Sequence, residues 1–95
     1  MSFAQIDKTL KKEKPTLKKE FFVKTIAVFG SFASGKNTPQ SDVDILVEFE
    51  KPIGLDFIGL KSYLEKKLKR DVDLVTPRAL KPLIKKQILS EAQFI

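Results

Sequence analysis

Residues 42–49, with the sequence DVDILVEF, constrain the fold more than any other part of the chain. The odd-numbered positions are all apolar, and three of the four even-numbered positions are acidic. Alternation with a period of two predicts a β-strand with one face in the core. It also places Asp42 and Asp44 side by side on the opposite face, which neither a D-D nor a D-x-x-D spacing would do in a strand. We therefore expect a sheet that carries two neighbouring carboxylates.

Two shorter strands are predicted on either side of this segment. Ile26–Phe29 is wholly apolar and is followed by Gly30, which is typical of a buried strand that ends in a turn. Val72–Val75 alternates again, with Asp73 on one face, and it stops at the proline of Thr76-Pro77. Three strands are therefore expected, each with an acidic residue or a glycine at one end.

Apolar residues at helical spacing predict the helices. The first dozen residues form an amphipathic pattern behind a Ser2 cap, with lysines on the outer face. Pro15 is expected to interrupt this helix, because a proline inside a helix removes a hydrogen bond and clashes with the preceding turn. The further predicted helices are a short piece over about 17–22, a helix over about 55–69, and a last helix from about residue 80 with Pro82 in its first turn.

Connection lengths predict the topology. The polar segment 31–40, a loop with room for one helical turn, suits antiparallel neighbours, whereas the connection from the second to the third strand has about twenty residues and a helix. The latter is typical of a right-handed parallel βαβ unit. We expect an α/β fold, with a small mixed β-sheet flanked by helices. Four residues would then meet at one edge of the sheet: Gly30, Asp42, Asp44 and Asp73.

Composition excludes several kinds of site. The chain has 95 residues and contains neither His nor Cys, which excludes imidazole bases, thiolate metal sites and disulfides. Such a length suits one domain, over residues 1–95. No apolar run approaches the roughly 20 residues of a membrane helix, and the first residues lack the apolar region of a signal peptide, so we expect a cytoplasmic protein without a membrane partner.

Charge is distributed unevenly. The net charge is +6, from 18 basic and 12 acidic side chains, and this favours acidic partners such as nucleotides, nucleic acid or an acidic protein surface. Only two of the basic residues are arginines, which suits diffuse attraction better than sequence-specific recognition of nucleic acid. Residues 37–50 contain no lysine or arginine, yet they hold four carboxylates, Asp42, Asp44, Glu48 and Glu50. This anionic segment requires a counter-ion.

Carboxylates beside a Gly-Ser turn indicate phosphate chemistry. Mg²⁺ takes oxygen ligands, usually one or two carboxylates plus substrate phosphates, and two such ions can clamp the attacking and leaving oxygens of a phosphoryl or nucleotidyl transfer. The turn at Gly30 and Ser31 can approach a triphosphate closely with its N–H groups and hydroxyl. The alternative is that Asp42 and Asp44 form a solvated strand face. For Asp71, which shares a face with the third-strand carboxylate, we expect a structural role.

Two motifs give the sequence a resemblance to a known family. GSFASG over Gly30–Gly35 and SDVDILV over Ser41–Val47 resemble the G-S-x-A-x-G and S-D-x-D-h-x-V signature of the minimal nucleotidyltransferases (MNT), in the DNA polymerase beta superfamily. Val72–Val75 is similar to the family's third-carboxylate strand, and Ile88–Ala92 is similar to its C-terminal segment. The resemblance covers residues 26–95 and leaves the N-terminal helix outside. It implies the nucleotidyltransferase fold, with a helix over 1–23 and a catalytic core over 24–95.

The resemblance implies a role for each motif residue. Asp42 and Asp44 would hold Mg²⁺, as two ions, and Asp73 would complete this catalytic and metal-binding set near the attacking hydroxyl. The residues implied for nucleotide binding are Gly30, Ser31, Ser41 and Lys36. Lys36 is included in this set because many members have Arg where this chain has Ser34, and Lys36 would replace that positive charge.

The implied reaction transfers NMP from an NTP, most often AMP from ATP, to a hydroxyl of a macromolecule and releases pyrophosphate. Small MNT proteins are typically antitoxins paired with a toxin of the HEPN-domain class, and some attach AMP to that partner. An alternative is an inactive antitoxin that neutralises the toxin by binding alone. A further alternative, from charge rather than resemblance, is a small basic nucleic-acid binder.

A rival motif overlaps the Gly-Ser turn. Residues 30–36 also read G-x-x-x-x-G-K after a strand, which imitates a phosphate-binding P-loop. Asn37 stands where a P-loop has Ser or Thr, and Pro39 followed by a strand leaves no room for the helix that a P-loop requires. We therefore expect no P-loop here.

Overall fold

The computed structural model describes all 95 residues. The helices are α1 (Phe3–Phe21), α2 (Gly30–Ser34), α3 (Asp56–Leu68) and α4 (Pro82–Glu91), and the strands are β1 (Val23–Phe29), β2 (Val43–Phe49), β3 (Val72–Val75) and β4 (Gln93–Phe94). A single 3₁₀ turn, Pro77–Ala79, joins β3 to α4. None of the helices combines the length and the apolar composition that a membrane span requires.

The sheet has the predicted topology. Its strand order is β3-β2-β1-β4, with β1 and β2 antiparallel and β2 and β3 parallel. Asp44 lies opposite Phe29 of β1 and opposite Asp73 of β3 in the register. The short strand β4 was not predicted from the sequence, because two residues give no periodic signal; it pairs with Ala27 and Val28 of β1.

One face of the sheet carries the main core. The odd-numbered residues of β2 pack there with α1 and α3, as the alternation predicts, and fifteen buried residues form one apolar cluster. Ile6, Leu10 and Leu17 of α1 belong to it, so α1 is an integral layer of the fold. Every fully buried residue of the chain is apolar.

The other face of the sheet has a smaller apolar cover. Ile88 of α4 packs on Ala27, Phe29 and Leu46, which together form a separate cluster of four buried residues. Asp44 lies on this face, because it shares the even-numbered positions of β2 with Leu46. The predicted carboxylate face is therefore only partly covered, at the point where α4 ends.

The predicted interruption at Pro15 is wrong. One helix runs from Phe3 to Phe21, with Ser2 and Gln5 forming a capping box at its start. Pro15 is exposed, so the carbonyl that lacks its usual hydrogen bond lies on the solvent side, where water can reach it. Leu10 and Leu17, both fully buried, hold the helix against the core on either side of the proline. Tertiary packing outweighs the local cost of about 3 kcal/mol.

Candidate active site

Gly30 lies directly against Asp44. A Cβ atom added at residue 30 would stand 2.1 Å from Oδ2 of Asp44, so no side chain fits between them. Gly30 also has φ +71°, a left-handed conformation that L-residues with side chains rarely adopt. The turn after β1 and the carboxylate of β2 thus touch because residue 30 is glycine.

The structure brings the three predicted carboxylates to one edge of the sheet. Asp44 and Asp73 are register partners on adjacent parallel strands, and Asp42 immediately precedes β2. Asp42 and Asp73 are exposed, whereas Asp44 is half-buried. The predicted convergence with Gly30 is confirmed as geometry, with Asp44 at its centre.

Like charges surround Asp44. Burial is the main reason why the pKa of the Asp44 carboxyl rises from 3.8 to about 6. The negative charges of Asp73, Asp42 and Glu91 raise it further, in that order. Neither ion pair of the protein lies at this cluster, because the acidic partners in those pairs are Asp7 and Glu13 of α1. The anionic edge is therefore suited to a cationic ligand.

The donor chemistry at this edge fits a hard divalent cation. Carboxylate oxygens are the ligands that Mg²⁺ prefers, and it needs only one or two of them when substrate phosphates and water complete the shell. No three acidic side chains are close enough to form a complete metal-binding group by themselves. The set therefore fits a cation that is shared with a phosphate ligand better than one that the protein holds alone.

The Gly-Ser turn opens the short helix α2. The Ser31 carbonyl accepts hydrogen bonds from the backbone N–H of Gly35 and, at 2.9 Å, of Lys36. It also accepts one from the Ser34 hydroxyl at 3.3 Å. Gly35 has φ +75°, which explains a glycine at this position. Lys36 is exposed beyond this turn.

Ser41 holds the loop that leads into β2. Its hydroxyl accepts a hydrogen bond from the Thr38 backbone N–H at 2.8 Å, and its own N–H donates to the Thr38 carbonyl at 3.0 Å. This short turn sets where Asp42 begins the strand edge. The structure thus gives Ser41 a local partner within its own loop.

Arg70 is a site residue that sequence reasoning missed. Its guanidinium donates two hydrogen bonds of 3.0 Å, to the carbonyls of Pro39 and Ser41, and it lies 5.5 Å from the ring centre of Phe32. Phe32 is buried in α2, so Arg70 ties the loop before Asp42 to the helix after the Gly-Ser turn. The only available signal was the rarity of arginine in a chain rich in lysine.

Glu91 was also missed as a member of this edge. It is the last residue of α4, and its charge contributes to the raised pKa of Asp44. Nearby, the Gln93 side chain donates to the Ala33 carbonyl of α2 at 3.5 Å, which ties the end of the chain to the Gly-Ser turn. No periodic pattern in the sequence could place a residue 47 positions from Asp44 beside it.

The geometry bears on two of the alternatives. Asp44 is half-buried and wedged against Gly30, unlike a residue of a solvated strand face, whereas Asp42 is exposed. A P-loop is excluded, because the segment after Lys36 leads into β2, which is antiparallel to β1, and no helix follows the glycine-lysine pair.

Comparison with known proteins gives one consistent family. A model of the nucleotidyltransferase domain matches residues 7–95, so the match extends into α1, beyond the span expected from the motifs. The protein adenylyltransferase MntA of Thermococcus cleftensis is 42% identical over 96 residues, which cover 100% of this chain and 97% of the relative.

Solved structures agree with the sequence comparison. A structure provisionally identified as a minimal nucleotidyltransferase superposes with a TM-score of 0.82 at 34% identity, over 98% of this chain and 95% of the other. A toxin-antitoxin structure with AMP-PNP superposes with a TM-score of 0.69 at 25% identity, over 99% of this chain and 72% of the other.

Proposed function

This protein belongs to the nucleotidyltransferase domain family, and we propose that it transfers AMP from ATP to a hydroxyl of a partner protein. The relative from Thermococcus cleftensis is named a protein adenylyltransferase, and the structural neighbour with AMP-PNP is a toxin-antitoxin complex. By the family resemblance, the partner is a HEPN-domain toxin and this chain is its antitoxin.

A single observation carries the proposal. The Gly-Ser turn and the carboxylates of β2 and β3, which are separate in sequence, lie together, with Gly30 pressed against Asp44. A turn that can cradle phosphates beside uncompensated carboxylates is the arrangement that nucleotidyl transfer needs. We assign the triphosphate to Gly30 and Ser31.

Asp42, Asp44 and Asp73 are the residues that would hold Mg²⁺, as two ions shared with the triphosphate. When bound, the metal neutralises charge on the phosphates and lowers the pKa of an attacking hydroxyl. Lys36 and Ser41 complete the nucleotide-binding set. Lys36, exposed after α2, would supply the cation that many family members provide from the position of Ser34.

The reaction balances without a further reactant. The oxygen of the acceptor hydroxyl forms a bond to the α-phosphorus of ATP, and the bond from that phosphorus to the α,β-bridging oxygen breaks. Pyrophosphate leaves with the bonding electron pair. We assign Asp73 to accept the hydroxyl proton, because its carboxylate is exposed at the rim of the site, where an acceptor can reach it.

The test is labelling with α-³²P-ATP and Mg²⁺ in the presence of the protein encoded next to this one, with Asp42→Asn as the inactive control. We expect label on the neighbouring protein with the wild type only. Label that appears equally with Asp42→Asn would refute the carboxylate site.

The same experiment decides between catalysis and binding alone. If a stable complex forms with the neighbouring protein but neither chain takes up label, the antitoxin acts by binding only. Ser34, in place of the usual arginine, is the sequence feature that favours this alternative.

A further inference from the structure

A shallow groove runs between α4 and the 3₁₀ turn that precedes it. One side is formed by Pro77, Arg78 and Leu80, and the other by Lys85, Lys86 and Leu89 on a single face of α4. Ile88 lies about 100° around the helix from Leu89 and packs against the sheet. The groove is thus lined by both apolar and basic side chains.

The cations of this groove have no acidic partner. Its lining contains no Asp or Glu, and both ion pairs of the chain lie elsewhere, on α1 and between α1 and α3. Apolar side chains are also exposed on this helix, since Leu89 in the groove is 41% exposed and Leu83, outside its lining, is 84% exposed. Exposed leucines beside unpaired cations are typical of a surface that binds another molecule.

The groove lies on the helix that ends at the carboxylate edge. Glu91, close enough to raise the pKa of Asp44, is only two residues beyond Leu89 on α4. At 1.5 Å of rise per residue, the groove begins about 3 Å from Glu91 along the helix axis and extends to roughly 14 Å from it, at Pro82, which also lines the groove. Leu89 and Glu91 point about 160° apart around the helix, so a chain lying in the groove would reach the site by passing over the C-terminal end of α4.

We propose that this groove docks the acceptor, as an acidic protein segment with an apolar anchor. The inference rests on the proposed function. Charge complementarity identifies the occupant, because Arg78, Lys85 and Lys86 pair with carboxylates of the segment while Leu80 and Leu89 receive its apolar side chain.

Nucleic acid fits this groove less well. Proteins that bind single strands stack the bases on aromatic side chains, and no aromatic residue lines the groove. The apolar part of its lining is made of leucine and proline, which match an apolar side chain. The basic side chains by themselves would attract either polymer.

The test measures binding of two fluorescent peptides by anisotropy, without ATP. Both contain one tyrosine and two leucines, and four glutamates in the first peptide are replaced by glutamines in the second. The full chain is compared with K85E/K86E and with K61E/K66E, which changes the same charge on exposed lysines of α3, on the other side of the sheet.

We expect the acidic peptide to bind the wild type and K61E/K66E alike, and K85E/K86E at least 10-fold more weakly. The glutamine peptide should bind weakly to all three. Equal losses in both variants would overturn the proposal, because net charge would then explain binding.

Two further outcomes would also overturn it. One is displacement of the acidic peptide by a short RNA at lower concentration than by unlabelled peptide. The other is displacement by ATP, which would make the groove part of the nucleotide site. Because no transfer is needed, binding to this groove can succeed even where the labelling experiment fails, and the two proposals are tested separately.

Discussion

The two faces of the sheet differ in what they bury. The face under α1 and α3 packs fifteen apolar residues and contains no buried charge, whereas the face under α4 packs four and leaves a carboxylate edge open beside them. The first face uses side-chain volume to stabilise the fold. The second face holds like charges close together, which lowers stability. The raised pKa of Asp44 reflects this cost. Stability and chemistry are thus separated across one sheet.

The largest expected effect is on the carboxylate face. Asp44→Asn should lower nucleotidyl transfer at least ~10³-fold, because it removes a charge from the proposed metal site without emptying the core. Its unfolding midpoint in urea should stay at or above that of the wild type. The matched control is Asp71→Asn, an exposed acid just before β3, which should retain transfer within about 2-fold. Wild-type rates in Asp44→Asn would contradict the assignment.

The two apolar clusters should respond differently to truncation. Leu64→Ala, in the larger cluster, should lower the free energy of unfolding by about 3–4 kcal/mol, since Leu64 is fully buried and its neighbours cannot close the cavity. Ile88→Ala should cost about 2 kcal/mol, because a small cluster near the surface relaxes more easily. Chemical unfolding followed by circular dichroism measures both. If Ile88→Ala lowers the free energy of unfolding more than Leu64→Ala does, the proposed difference between the two faces is wrong.

Arg70 connects the loop before Asp42 to α2, and its loss should affect rate more than nucleotide affinity. Arg70→Ala should reduce kcat about 10-fold, with KM for ATP within about 3-fold, because two carbonyls lose the donors that fix the loop. Arg70→Ala should also lower the free energy of unfolding by about 1–2 kcal/mol. Arg70→Lys, with one donor group of different shape, should recover only part of kcat. If kcat falls only in proportion to the fraction of folded protein, the role of Arg70 is structural and not positional.

The smallest expected effect is a pH dependence of stability. The folded protein holds a proton on Asp44 up to a pKa of about 6, whereas the unfolded chain releases it near 3.8. The folded state therefore binds more protons in this window, and its stability should fall as pH rises from about 4 to 6. The change is on the order of 1 kcal/mol, because solvent at this half-buried site screens the charges.

Urea unfolding at several pH values, with a chelator present, measures this slope. Asp44→Asn should flatten it, whereas Asp71→Asn should leave it unchanged. An equal slope in the wild type and in Asp44→Asn would show that Asp44 does not carry the effect.

Local patterns predicted most of the secondary structure. The alternation over residues 42–49 gave a strand and its core face, and the structure confirms both in β2. The bounds of β3 and the proline in the first turn of α4 also agree. β1 begins earlier than predicted, at Val23, because its first residues pair across a bulge with Phe49 and Glu48. No local signal marks such a pairing.

Two further errors have the same origin. Pro15 was expected to end a helix, yet contacts of Leu10 and Leu17 with the distant core preserve it. β4 was not expected, since it exists only as an addition to the edge of β1. In both cases contacts far apart in sequence outweigh the local preference.

The sequence by itself determined which residues are available for chemistry and on which face of a strand they stand. With no His or Cys, only oxygen, lysine and backbone groups remain, and period-two alternation puts Asp42 and Asp44 together. Only the tertiary structure decided how close the turn comes to Asp44, and that Arg70 and Glu91 belong to the same edge. The physical reason is range: alternation acts between neighbours in the chain, whereas burial and charge act between neighbours in space.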